Sequence, residues 1–327
     1  MDFHELTSLI QTHQSFALFC HINPDGDCIG AVLAMYQVLK KMGKQVYPIS
    51  FHGVPSFLRF LPHADEIIPG DKAKDLTAEV AIILDCGDEK RVGEELIPVL
   101  RRAAKRISID HHISNNFSFA DLNYVDPHAS SASELIFRFL QQENSPLNSD
   151  IATCLYTGIM YDTGRFKHPT TTPQVFQVCS ELVAAGADPS QIAIQVYDGR
   201  SVAHLRLLGY SLSNIHIEEN NALAWAVIER DRVEAMGAKD EDFDGVVEML
   251  GAHEGCEIHI IFSAGTDSRV RVSMRSKGNV DVSRIASKFG GGGHRAAAGL
   301  RLSKPMAEVI DMVLNECRER LSEMRGA

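Results

Sequence analysis

The chain has 327 residues, 45% hydrophobic and 23% charged, with a formal net charge of −11. Its length predicts two domains at about 150 residues each, and no apolar run approaches the roughly 20 residues that a bilayer requires. So acidic a chain is not expected to hold a long polyanion by charge alone, because that affinity comes largely from neutralised phosphates.

The start, Met1-Asp2-Phe3-His4-Glu5, lacks the basic residues of a signal peptide. Seven scattered cysteines without a Cys-x-x-Cys pair indicate free thiols in a reducing compartment. The expected location is cytoplasmic. In chain order, Ser15–Ile22 predicts a buried strand. Cys28–Met42 predicts a helix, with Ile29, Val32, Leu33, Tyr36 and Leu39 at helical spacing and Gly43 as its stop. Further strands are expected at Gln45–Phe51, Val80–Asp85 and Arg106–Asp110, with helices at Glu94–Lys105 and Ser131–Gln142. This α/β alternation implies a mainly parallel β-sheet flanked by helices. Its ligand site should lie outside the carboxyl ends of the strands. Helices are then expected at Thr172–Ala185 and Ser190–Val196, with Leu205–Ile217 as a connecting helix. Strands at Leu223–Glu229, Glu257–Ser263 and Arg269–Met274, with helices at Val280–Lys288 and Pro305–Met324, form a smaller C-terminal α+β domain. The expected division is residues 1–186, a linker at 187–206, and residues 207–327.

The chemistry-bearing residues collect where apolar, strand-like runs give way to Gly, Pro or polar turns. They are His21, Asp25 and Asp27 in HINPDGD, Asp85 in LDCGD, the triplet Asp110-His111-His112, and Asp162 in YDTGRF. Carboxylates and imidazoles at successive strand ends are what a binuclear divalent-metal site requires. Each also has a plainer reading. Asp27 is well placed to cap a helix beginning at Cys28, though a cap does not explain His21. Asp85 and Asp162 suit ordinary turns, but an acid ending a buried strand is costly unless paired or metal-bound. His111 and His112 point in different directions because strand side chains alternate, so one can hold metal while the other faces substrate. Further on, the glycines of residues 290–293 let backbone N–H groups approach an anion, and a helix start after them would add a favourable dipole. His294 and Arg295 supply donors. Arg275 suits a phosphate or a base, and equally a solvated sheet edge.

Together these motifs resemble the DHH phosphoesterase superfamily: HINPDGD at 21–27, LDCGD at 84–88, DHH at 110–112 and YDTGRF at 161–166. FGGGGHRAAAG at 289–299 is similar to the DHHA1 signature. The resemblance spans nearly the whole chain. It is nearest the bacterial nanoRNase/pAp-phosphatase branch, bifunctional oligoribonucleases that also dephosphorylate 3′-phosphoadenosine 5′-phosphate (pAp). One position departs: the family's first motif often ends Gly-Ser, and here Gly30 is followed by Ala31. The resemblance implies two divalent metal ions, usually Mn2+. His21, Asp25 and Asp85 would hold one, and Asp27, Asp85, His111 and Asp162 the other, with Asp85 bridging. It also implies that His112 faces the phosphate and that Asp110 orients the histidines. Arg275, Gly291, Gly292, Gly293, His294 and Arg295 would grip the rest of the nucleotide. The implied reaction is hydrolysis of short oligoribonucleotides to mononucleotides and of pAp to AMP, by in-line attack of water. These substrates are the expected partners, with no membrane and no stable long nucleic-acid complex; a homodimer is left open. A single-strand exonuclease or a pApA phosphodiesterase of the same superfamily is the alternative. A nucleotide-binding regulator on this scaffold would have lost metal ligands, and every expected ligand is present.

Overall fold

Six parallel strands order the first part of the chain: β1 (Ser15–Phe19), β2 (Gln45–Ser50), β3 (Ile68–Pro69), β4 (Val80–Leu84), β5 (Lys105–Asp110) and β6 (Leu122–Val125). The computed structural model describes residues 2–112, 115, 119–264 and 269–326. It divides into two units, Met1–Gly199 and Arg200–Ala327. In the first unit the strand order is β3-β2-β1-β4-β5-β6, so the chain reverses direction of travel between β1 and β4. That is where open parallel sheets of this kind place a ligand.

Both faces of this sheet are buried, which is why its strands are apolar runs and not alternating ones. Phe16, Leu18, Ile82, Ile107 and Ile109 pack with the helices His4–Thr12, Gly26–Lys41, Ala132–Gln142 and Ser149–Asp162. Ala17, Phe19, Ala81 and Ile83 pack on the other side with Val99 and Leu100, which lie on the helix Ile97–Arg102. The single helix expected at Glu94–Lys105 is in fact a 3-10 turn, Glu94–Leu96, followed by that short helix. Pro98 explains the break: it lacks an N–H and suits a helix's first turn.

The helix Gly26–Lys41 is packed against Ser149–Asp162 through glycines. A Cβ on Gly30 would sit 2.4 Å from the Cys154 carbonyl oxygen, and one on Gly158 would sit 2.0 Å from Ser133 Oγ and 2.7 Å from Asp27 Oδ1. This close approach sets Asp27 on one helix near Asp162 at the end of the other. Gly30→Ala is expected to destabilise the protein by about 1–3 kcal/mol, the usual cost of overpacking. Denaturant titration checks it, and an unchanged midpoint would show that the helices can separate freely.

The second unit carries β7 (His216–Glu218), β8 (Leu223–Ile228), β9 (Ile258–Ala264), β10 (Val270–Ser276), β11 (Gly292–His294) and β12 (Ala297–Leu302). Their order is β11-β12-β10-β9-β8-β7. Neighbours are antiparallel except β8 and β9, which are parallel. One face packs on the helices Val282–Lys288 and Met306–Gly326. On the other, Leu207, Val246, Val247 and Leu250 cover β8 and β9 at Ala226, Ile228 and Ile261. The helix expected at Leu205–Ile217 runs instead over Val202–Ser213, and His216 and Ile217 join β7. Among the described residues, no helix is long and apolar enough to cross a membrane.

Candidate functional site

Three strand ends converge on one carboxylate, Asp85. β1 leads to His21, whose Nδ1 lies 2.8 Å from the Ile22 carbonyl. A carbonyl only accepts, so Nδ1 carries a proton and Nε2 is the atom turned to the carboxylates. That Nε2 is 3.4 Å from Asp85 Oδ2 and 3.8 Å from Asp25 Oδ2. β5 leads to His111, whose Nε2 is 3.3 Å from Asp85 Oδ1 and 3.2 Å from Asp162 Oδ2. Asp85 itself follows β4 with φ +56, a left-handed conformation that non-glycine residues rarely adopt. Its amide still donates to the Ile109 carbonyl at 3.0 Å, so the turn is held by the sheet. Asp85 Oδ1 is buried and makes no hydrogen bond among the described residues. A buried oxygen left so is a place for an ion.

Asp25 and Asp27 divide their work differently from the sequence expectation. The helix begins at Gly26, and Asp25 is its cap, with Oδ1 accepting from the amides of Asp27 and Cys28 at 3.0 Å each. The Asp27 carboxylate is completely buried and accepts from the amides of Ala132 at 2.6 Å and Ser133 at 2.8 Å. These are the first free donors of the helix Ala132–Gln142, where an anion is favoured. Asp162, expected at the end of a strand-like run, is instead the last residue of the helix Ser149–Asp162. Ligand atoms of Asp27, His111 and Asp162 lie within 4.8 Å of one another, as do those of Asp85, His111 and His112, and those of His21, Cys28 and Asp85.

Electrostatics describe a site short of positive charge. Burial, then Asp85, pushes the Asp27 carboxyl up to about 7. Burial also drives Asp162 well above the usual carboxylate range; His111 opposes this, and Asp27 and Asp85 add to it. Burial works against the Asp85 carboxylate too, yet His111 and His21 hold it well below that range. Burial disfavours charge on both imidazoles, but Cys28 and Asp85 raise His21, and Asp162 and Asp85 raise His111. Protons here stand in for cations. Mixed carboxylate and imidazole donors, one orphan oxygen and excess buried acid fit divalent metal ions.

His112 sits beside this cluster and not at its centre. Its Nδ1 is 2.6 Å from Asp110 Oδ1 and 3.6 Å from Asp85 Oδ1. Asp110 is completely buried. Its Oδ1 also accepts from the His111 amide at 2.9 Å, and its Oδ2 accepts from Asn115 Nδ2 at 2.6 Å. Burial opposes the Asp110 charge, but His112 keeps its pKa below the usual value. Asn115, Cys28 and the Ala132 and Ser133 amides were not apparent from sequence. Asn115 lies five residues past Asp110 in a polar stretch, and nothing in its type or spacing distinguishes it.

In the second unit, Arg275 lies within β10; its Nε donates to Glu248 Oε1 at 2.7 Å and its Nη1 to the Met274 carbonyl at 3.1 Å. Arg295 Nε donates to the Gly278 carbonyl at 3.0 Å. The glycine run enters a β-hairpin, β11 against β12, so no helix start follows it to add a dipole. The hairpin needs its glycines: a Cβ on Gly291 would lie 2.3 Å from the Gly299 oxygen, and one on Gly293, at φ +142, 2.4 Å from the Ala297 oxygen. Gly292 faces open space. The His294 side chain lies outside the described part of the structure.

Residues 15–159 match the DHH family, N-terminal domain, and residues 226–323 match the DHHA1 domain. A Thermus thermophilus protein named bifunctional oligoribonuclease and PAP phosphatase NrnA is 33% identical over 304 residues, covering 92% of this chain and 89% of its own. The Bacillus subtilis protein of that name is 30% identical over 301 residues, 90% of this chain and 91% of its own. An exopolyphosphatase-related protein from Bacteroides fragilis superposes with a TM-score of 0.91 at 26% identity, over 99% of this chain and 97% of that one.

Proposed function

Since the chain belongs to the DHH family with a DHHA1 domain, and is therefore a metal-dependent, phosphoester-hydrolysing enzyme, we propose that it is a cytoplasmic nanoRNase and pAp phosphatase. It hydrolyses short oligoribonucleotides to mononucleotides and pAp to AMP. The Asp85 carboxylate carries this reading: its two oxygens lie 3.4 and 3.3 Å from imidazoles on different strand ends. In that reading His21, Asp25 and Asp85 hold one Mn2+, and Asp27, Asp85, His111 and Asp162 hold a second.

Such ions supply charge neutralisation at the phosphoryl oxygens and a lowered pKa for the attacking water. The chain's own residues do the rest. The amides of Ala132 and Ser133 fix the Asp27 carboxylate so that it does not reorganise during reaction. Asp110 accepts a hydrogen bond from His112 Nδ1, which directs Nε2 toward the substrate, where the doubly protonated ring donates to the phosphate or the leaving oxygen. Arg275, the backbone at Gly291, Gly292 and Gly293, and His294 with Arg295 bind the remainder of the nucleotide.

The test is a comparison of kcat/KM with Mn2+ on pAp, a dinucleotide, a five-mer and a long RNA. Substrates of two to five residues and pAp should exceed the long RNA by about tenfold or more, since so acidic a chain gains little from distant phosphates. Equal kcat/KM on the five-mer and the long RNA would favour the single-strand exonuclease reading.

A further inference from the structure

Two exposed residues, Arg91 and His52, hold the loop that leads from His21 to Asp25. The Ile22 amide donates to the Arg91 carbonyl at 2.5 Å, and the Asn23 amide donates to His52 Nδ1 at 3.2 Å. Arg91 belongs to the 3-10 turn Glu89–Val92, shortly after Asp85. His52 follows β2, which neighbours β1 in the sheet. The two segments also meet: a Cβ on Gly93, at φ +103, would lie 2.7 Å from the Phe51 ring. Arg91 and His52 are thus brought to one corner of the sheet's carboxyl edge, beside His21.

The corner is built on fixed backbone. Asp88 Oδ1 accepts from the Lys90 amide at 2.9 Å, the Arg91 amide donates to the Asp88 carbonyl at 3.0 Å, and Val92 is completely buried. Glu89 in the same turn is paired with Arg101. The Arg91 guanidinium, by contrast, makes no hydrogen bond or ion pair among the described residues. His52 accepts the Asn23 amide at Nδ1, so its ring is neutral and carries its proton on Nε2.

A solvated surface arginine is the plain alternative, and the field at the metal cluster speaks against it. Burial, then Asp85, raise the Asp25 carboxyl, while His21, the Cys28 amide and Arg91 lower it. Burial pushes the Cys86 thiol up to about 12, and Arg91 opposes that rise. Its charge is therefore felt at Asp25 and again next to Asp85. An ion held by His21, Asp25 and Asp85 would take up the Asp25 charge and leave the guanidinium to the anion that the ions bind. A guanidinium matches phosphate oxygens in charge and in fork geometry.

We propose that Arg91 and His52 form a phosphate-binding corner at the rim of the metal cluster, where the guanidinium and the His52 Nε2–H donate to phosphate oxygens of the substrate. This rests on the reading of His21 and Asp25 as metal ligands given above. The phosphate is the one being hydrolysed or its neighbour. The 5′ and 3′ phosphates of pAp are separated by the same ribose atoms as successive backbone phosphates, so one corner serves both substrate classes.

Full-length protein, Arg91→Gln, Arg91→Lys and His52→Asn are compared in two assays. One is calorimetric binding of inorganic phosphate to the protein loaded with Mn2+. The other is kcat/KM on ApA, which carries one phosphate, and on pAp, which carries two. Arg91→Gln should weaken phosphate binding about 10–100-fold, the scale of hydrogen bonds to a charged group, and Arg91→Lys should recover part of it. Asn at position 52 can still accept the Asn23 amide but lacks the outer N–H, so the loss should be about 3–10-fold. Bound metal and melting temperature should not change in Arg91→Gln, which removes neither a ligand nor a packed group. An equal fall in kcat/KM on ApA and pAp identifies the reacting phosphate as the occupant; a fall confined to pAp identifies its neighbour. Wild-type phosphate affinity in Arg91→Gln, or unchanged kcat/KM on both substrates, would overturn the corner. Arginine-dependent phosphate binding in a protein that hydrolyses neither substrate would keep the corner and sink the nanoRNase reading. Hydrolysis of both by Arg91→Gln at the wild-type rate would do the reverse.

Discussion

Asp85→Asn should reduce hydrolysis by about 10³-fold or more, at least ~4 kcal/mol of transition-state stabilisation at 1.36 kcal/mol per tenfold. Asparagine is the informative substitution because residue 85 sits at φ +56, where Asn is tolerated and Ala is strained. Both imidazoles that flank the carboxylate, and through them Asp25 and Asp162, lose their common neighbour. Metal analysis should therefore find both ions weakened, and Mn2+ should no longer raise the melting temperature. Asp25→Asn is the contrast. Asn also caps helices well, so the helix Gly26–Lys41 should persist and only one ion should be weakened. An Asp85→Asn protein that keeps two tight ions and near-normal turnover would remove the bridging role.

His112→Ala should lower kcat by about 10²–10⁴-fold, the usual contribution of a positioned acid–base group, while both ions stay bound. The expectation follows from position: His112 Nδ1 is 2.6 Å from Asp110 Oδ1, whereas His111 Nε2 lies between Asp85 and Asp162. Asp110→Asn should give a smaller loss in the same direction, since the ring remains but its preferred tautomer does not. Metal loss in His112→Ala would mean that the two adjacent histidines have exchanged roles.

The strand ends were legible because a parallel sheet buried on both faces leaves apolar runs that stop abruptly at an acid or a histidine. Hence β1, β4 and β5 and the residues that follow them were found to within a few positions. The helix Ser149–Asp162 was not. It is apolar nearly all round, with Ile151, Cys154, Leu155, Ile159 and Met160 buried, and it contains Thr153, Thr157 and Gly158, which are poor helix formers. Tertiary packing against Gly30 decides its state, and no local pattern announces it. The cap was misplaced for a related reason: Asp25 and Asp27 are both good cap residues, and what distinguishes them is a pair of amides more than 100 residues downstream. The conformation of the glycine run was not legible, because glycine accepts a hairpin as readily as a loop before a helix. Glu248, 27 residues from Arg275, was invisible to any spacing argument.

Buried Asp27 and Asp85 and half-buried Asp25 and Asp162 are gathered in one cluster, so the folded chain carries repulsion that ions would relieve. An ion that binds the folded form and not the unfolded one stabilises it by mass action, about 2.7 kcal/mol at a hundredfold excess over Kd. Withdrawing that ion raises the unfolded fraction by about a hundredfold, and cellular proteases act on that fraction. A cell starved of the metal would thus lose this protein by degradation as well as by idling, and its abundance would track the ion pool.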